Sequence, residues 1–331
     1  MVVYQKAAFF MKKSGIFFIV FLLIFLQGFS QEKNPTGEKA IPFFLELTSS
    51  YNKESRDYCV IDTDGSTNSK LEWNADYLFK EGISGGIKFQ NFEMFLSTQV
   101  CLPFECGKMY DSDWRTIGIK TNFSESNLFA GFGCDVAFQI KYNFRLSAPN
   151  SKLLISPIIQ LSNSFIRFEA KNTIGWCGDT AHTHLEENLP WNSEYAKKVK
   201  KYGINFANNI TSFFCGLEVS DWIDSIFVNA GLLISPYTYI LSVDHHLNKE
   251  EGSYYQLVQK AYFKTWDFYA GAGYKINQKN MIALSGDFCF CPATNGDFYF
   301  GWFGTDNIIA DETCSFAFSK FSLCFSWQIF L

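Results

Sequence analysis

The chain ends in FSLCFSWQIFL, residues 321–331, and this stretch alternates at period two. Phe321, Leu323, Phe325, Trp327, Ile329 and Leu331 share one face, with Ser322, Ser326 and Gln328 on the other. A terminal strand with one apolar, aromatic-ended face reads as a lipid-facing strand of a barrel, with a soluble β-sandwich edge as the alternative. Similar segments recur near 42–61, 69–90, 93–103, 124–146, 152–173, 203–220, 224–243, 254–276, 280–300 and 312–331, about ten strands. Short connectors at 91–92, 148–151, 220–224 and 277–280 alternate with long ones around 104–123, 174–202, 244–253 and 301–311. The expectation is all-β: a ten-stranded antiparallel transmembrane β-barrel with tight turns at one end and long extracellular loops at the other. Such a barrel satisfies its backbone groups within lipid.

Composition agrees with that texture. Of 331 residues 47% are hydrophobic and 37 are Phe, yet the mean hydropathy is only -0.03, so apolar and polar residues must be interspersed. The one long apolar run, Ile16 to Leu26, follows Lys12 and Lys13 and precedes QGFSQEK, which reads as a signal peptide over residues 1–30 cleaved after Ser30. Met11 is an alternative start, and the run is too short to span a bilayer as a helix. Export without a later helical span leaves a secreted globular protein or an outer-membrane barrel, and residues 31–331 are expected to form the barrel, in the cell outer membrane. A formal charge of -5 argues against a nucleic-acid partner. The ten cysteines sit singly in aromatic runs and read as small apolar side chains, with Cys289 and Cys291 on one face of a strand.

Two constellations carry possible chemistry. In GKMYDSDWRTIG, residues 107–118, Asp111 and Asp113 are spaced to point the same way where a strand emerges into an external loop, and close carboxylates can share a proton. In LSVDHHLNK, residues 241–249, Asp244 and His246 repeat that spacing, and a carboxylate beside an imidazole orients it as a general base needs. Either pair alone reads as solvated loop residues; two at one rim, one supplying acids and one a base, read as a site. His182, His184, Glu186 and Glu187 in WCGDTAHTHLEEN fit no dedicated zinc spacing, and no metal is expected. Trp73 and Trp114 read as residues of an aromatic girdle or of a substrate cleft.

With these motifs the sequence resembles the omptin family of outer-membrane aspartyl-type endopeptidases. MYDSDW is similar to the family's D-x-D-W loop and DHH (244–246) to its D-x-H element. LEWN (71–74), GISGGIKFQNFEMFLS (82–97) and the segment 254–288 follow its strand order, so the likeness runs from about residue 42 to the C-terminus. The resemblance implies peptide or protein substrates and a cleft on the exterior side of the membrane. It implies a water held between Asp111 and His246, with Asp244 orienting the imidazole and Asp113 supporting Asp111 and the developing oxyanion. No cofactor is implied beyond lipopolysaccharide or a similar outer-membrane lipid. Omptins cut beside basic residues using an acid two positions before the D-x-H aspartate and a glutamate on the first strand. Here the first position is Ser242, and the second falls on Glu54 or Ser55 in NKESRDY, so relaxed or shifted selectivity is expected. Two rivals stand beside this reading: a proteolytically weak barrel acting as adhesin or invasin, and a passive pore.

Overall fold

The structure is a computed structural model describing residues 43–146, 153–200, 203–246, 253–302 and 309–331. The expected signal peptide, 1–30, and the connector 148–151 lie outside the described residues. Fourteen strand segments form one antiparallel sheet: β1 (Phe43–Ile61), β2 (Thr67–Phe89), β3 (Phe92–Cys101), β4 (Phe104–Asp113), β5 (Asn122–Tyr142), β6 (Phe144–Arg145), β7 (Leu154–Cys177), β8 (Lys197–Lys200), β9 (Ile204–Ile223), β10 (Ile226–His246), β11 (Ser253–Ala261), β12 (Thr265–Lys275), β13 (Asn280–Trp302) and β14 (Ile309–Phe330). One helical turn, α1 (Thr180–Thr183), lies between β7 and β8.

Four segments continue others. β3 and β4 both pair with β2 and β5, and β11 and β12 both pair with β10 and β13. β6 prolongs β5 along β7, and β8 prolongs β9 along β7. The remaining ten staves match the expected number, and pairing runs from β14 back to β1, from Phe44↔Phe330 to Ile61↔Thr313. The boundaries differ in one informative place. The segment expected to end near 103 is interrupted only at Leu102 and Pro103 and resumes as β4, so the connector expected at 104–123 shrinks to 114–121. A proline removes one ladder donor and reads as a strand end, but both neighbouring staves continue past it and hold the chain in register.

Alternation sorts the side chains. In β14 Phe321, Leu323, Phe325 and Trp327 are exposed while Ser322 and Ser326 are buried, the division read from the sequence. Exposed Leu47, Ile83, Phe138, Leu161, Leu217 and Leu284 continue this apolar belt on other staves. Aromatic pairs frame it: Tyr51–Phe79, Tyr77–Phe104 and Tyr237–Tyr262 on the side of the long connectors, here called the rim, and Phe92–Tyr142 and Tyr142–Phe144 at the base. Staves of about 20 residues tilted by about 45° rise roughly 47 Å, nearly twice the ~25 Å apolar band of a barrel. The rimward half therefore projects beyond the belt. Its outer face is charged, with Lys70–Glu72 at 2.6 Å, Lys108–Glu125 at 2.8 Å and Lys171–Glu169 at 2.9 Å.

The junction between belt and projecting half is a ring of irregularities. Register shifts occur at Asn52/Glu54, Ala130/Gly133, Ile234/Tyr237 and Cys291/Thr294, and the two stave interruptions, at 102–103 and 262–264, lie at the same level. Bulges bend strands and increase their twist, so this ring lets the upper wall lean away from the line of the belt.

The lumen is filled. In the projecting half Trp73 is fully buried and stacks on Phe206 at 4.7 Å and on Phe168 at 6.3 Å, among Leu71, Met109, Leu128, Ile166, Ile240 and Leu257. Trp73 thus belongs to neither girdle nor cleft. Just below lies a charged layer: Glu54 Oε2 is 2.7 Å from Arg56 Nη2, Glu54 Oε1 2.7 Å from Lys80 Nζ, and Asp135 Oδ2 2.8 Å from Lys80 Nζ and 3.3 Å from Lys320 Nζ. Pairing of this kind is what makes buried charge tolerable. Below that layer a cavity of about 590 Å³ faces the base. All ten cysteines are free thiols, consistent with their reading as small side chains.

Candidate active site

Above the packed aromatic layer, at the rim, a cleft of about 740 Å³ opens. Its walls come from the tops of the staves. On β1 the residues from Glu54 to Val60 alternate, so Tyr58 faces inward, and its register partner Leu71 does the same on β2. Leu71 is paired with Asp111 of β4, and Ser69 with Asp113, which turns both aspartates into the cleft. Across the lumen β10 carries Ser242, Asp244 and His246 on its inner face, and His246 also lines the cleft. Asp111, Asp113 and His246 therefore share one cavity, with Tyr58, Met109, Ile204, Tyr255 and Phe298 as its floor.

Asp244 is wholly buried beside this floor. Its Oδ2 is 3.2 Å from His246 Nε2 and also accepts a hydrogen bond from the Tyr58 hydroxyl, while Oδ1 has no hydrogen-bond partner among the described residues. An ionised carboxylate only accepts, so in this contact the imidazole proton belongs on Nε2 and the lone pair on Nδ1. Burial, then the negative charges of Asp244 and Asp111, push the Tyr58 phenol well above its ordinary range. Tyr58 thus stays a proton donor, placed between the acid pair and the acid–base pair. It went unnoticed in the sequence, although it follows Glu54 by four residues and so shares its strand face.

The two residues singled out for substrate binding stand lower. Glu54, not Ser55, faces inward, but it is held in the charged layer by Arg56 and Lys80 and is absent from the cleft lining. Ser55 faces outward, its hydroxyl 2.9 Å from Asn74 Oδ1. Ser242 is fully buried and accepts from Asn208 Nδ2 at 2.7 Å, and Asn208 Oδ1 in turn accepts from Arg56. The position beneath the acid–base pair is therefore occupied by a neutral serine backed, through Asn208, by a guanidinium.

The remaining candidates also find places. Trp114 lies beneath the Lys120 ammonium, 5.4 Å from its ring centroid. Among the described residues no group of three His, Cys, Asp or Glu is placed to hold a metal ion, and His184 adopts a left-handed conformation at the end of α1, with φ of 60°. His182, by contrast, lines the cleft.

No family model matches the chain, and no curated protein matches its sequence. Among solved structures its fold is similar to that of the outer membrane protease OmpT from Escherichia coli, with a TM-score of 0.75 at 12% identity, covering 88% of this chain and 97% of that one. The translocator domain of the autotransporter NalP from Neisseria meningitidis also matches, with a TM-score of 0.36 at 7% identity, 96% of this chain and 97% of that one being covered. The likeness to OmpT is one of fold, and the fold is that of outer-membrane β-barrel proteins.

Proposed function

We propose that this chain is an outer-membrane endopeptidase of omptin type that hydrolyses peptide bonds in a cleft facing the cell exterior. The observation that carries the reading is the meeting of Asp111, Asp113 and His246 on one cleft, with Asp244 and Tyr58 joined behind the imidazole. A water between Asp111 and His246 is the nucleophile. His246 takes its proton, the buried Asp244 stabilises the imidazolium that forms, and Asp113 supports Asp111 and the developing oxyanion. General acid–base help of this kind is worth on the order of 10² to 10⁴ in rate. A lumen filled by Trp73, Phe168 and Phe206 above a layer of ion pairs favours this reading over a passive pore.

Selectivity follows from the cleft floor. Tyr58, Leu71, Met109, Tyr255 and Phe298 offer apolar and aromatic surface, and the Glu54 carboxylate is already engaged by Arg56 and Lys80. Substrate residues beside the cut are therefore apolar rather than basic. The test is incubation of the refolded barrel with a peptide library, with and without lipopolysaccharide. Cleavage abolished by Asp111→Ala supports the reading; intact peptides in both arms overturn it and favour an adhesin-like barrel.

A further inference from the structure

The connector after β7 carries a second carboxylate–imidazole pair, and we propose that His182 is the catalytic acid of the cleft, protonating the amine that leaves when the peptide bond breaks. This rests on the endopeptidase reading above. Asp179 Oδ1 lies 2.7 Å from His182 Nδ1 and accepts from the His182 backbone N–H at 2.9 Å. Asp179 Oδ2 accepts from Asn122 Nδ2 at 2.7 Å. Asn122 is the cross-strand partner of Asp113, and the backbone continues the link, with Thr121 N–H donating to Asp113 O and Gly178 N–H to Thr121 O. The anchor of this imidazole is thus built onto the strand pair that presents Asp113. The Asp179 side chain is 11% exposed and that of His182 42%, so the carboxylate is a fixed base plate and the ring is open to a ligand.

With Nδ1 held by Asp179, Nε2 is the nitrogen available to a substrate. Burial raises the Asp179 carboxyl, but the hydrogen bonds from Asn122 and His182 outweigh it and hold the group below its ordinary range, so it stays an ionised acceptor for the Nδ1 side of the ring. The charged groups sharing the cleft with His182 are Asp111, Asp113, Arg115, Lys200 and His246. Peptide hydrolysis needs one proton taken from the water and one given to the leaving amine, and two imidazoles on one cleft allow these to be separate groups. In the assigned sequence, water oxygen bonds to the carbonyl carbon and its proton goes to His246. The C–N bond then breaks as the Nε2 proton of His182 moves to the nitrogen. His182 ends neutral and His246 protonated, and exchange with solvent resets both.

The experiment compares His182→Gln with the natural chain on a peptide amide and on the 4-nitrophenyl ester of the same acyl sequence, whose phenolate leaves without a proton. The expected result is a fall of about 100-fold in kcat on the amide, within the usual range for general acid help, with an ester rate within about threefold of the natural chain. The alkaline limb of the amide pH profile should disappear in the variant. Asp179→Asn, which keeps the imidazole but frees it, should show a smaller loss with the same dependence on leaving group. Equal losses on amide and ester, or none on either, overturn the assignment of His182 alone. A natural chain that cleaves neither substrate overturns the endopeptidase reading with it.

Discussion

At the scale of single residues, the proposed mechanism divides the cleft between groups that meet substrate and groups that hold them. In the proposed mechanism Asp111 holds the water and His246 is its base, so replacing either by Ala should lower kcat at least about 100-fold while the barrel stays folded. Activity retained in both variants would show that the water is held elsewhere. Tyr58→Phe deletes one hydroxyl and takes from Asp244 Oδ2 one of its two hydrogen-bond contacts among the described residues, leaving that to His246. A hydrogen bond to a charged group contributes about 1.5 to 3 kcal/mol, so a kcat loss of roughly 10-fold or more with little change in KM is expected. Reagents that modify active serines or thiols should leave activity intact, because the proposed attacking group is water. Burial agrees for the thiols it shields most, since it raises the buried Cys314 thiol to about 12.

At the scale of elements, the charged layer is the part most exposed to mutation. Arg56→Met would leave Glu54 with Lys80 as its direct ion-pair partner among the described residues and take from Asn208 Oδ1 the Arg56 donor. Breaking a buried pair from one side costs about 3 to 5 kcal/mol, and the denaturation midpoint of the refolded barrel should drop accordingly. Adding Glu54→Gln should restore more than half of the loss; an equally unstable double variant would mean that packing, not charge, sets the cost. The same elements show what the sequence could reveal. Period-two alternation located the staves and the faces of Asp111, Asp113, Asp244 and His246, because parity along a strand is local information. Arg56 reaching Asn208 and Tyr58 reaching Asp244 join positions 152 and 186 residues apart, and such meetings depend on the stagger around the barrel. His182 was visible as one of a histidine pair, but its direction came only with Asp179 and Asn122.

At the scale of the whole molecule, an apolar belt below a charged upper half predicts fractionation with outer membranes and heat-modifiable migration on gels; recovery as a soluble periplasmic protein would defeat it. The filled lumen also bears on selectivity. On matched peptides, kcat/KM should be higher with Phe than with Arg before the cut, and Ser242→Asp alone should change this little because Arg56, through Asn208, draws the new charge. Ser242→Asp with Arg56→Met should raise the value for Arg by roughly 10- to 100-fold, the equivalent of about 1.5 to 3 kcal/mol. A strong arginine preference in the natural chain would refute the apolar floor. The ring of bulges and interruptions carries one more consequence. Where ladders are broken, amide hydrogens lack regular partners, so deuterium from the solvent should enter the wall first at 131–132, 262 and 264. Labelling would then draw a line around the barrel with slowly exchanging backbone on either side of it, marking two blocks that breathe apart.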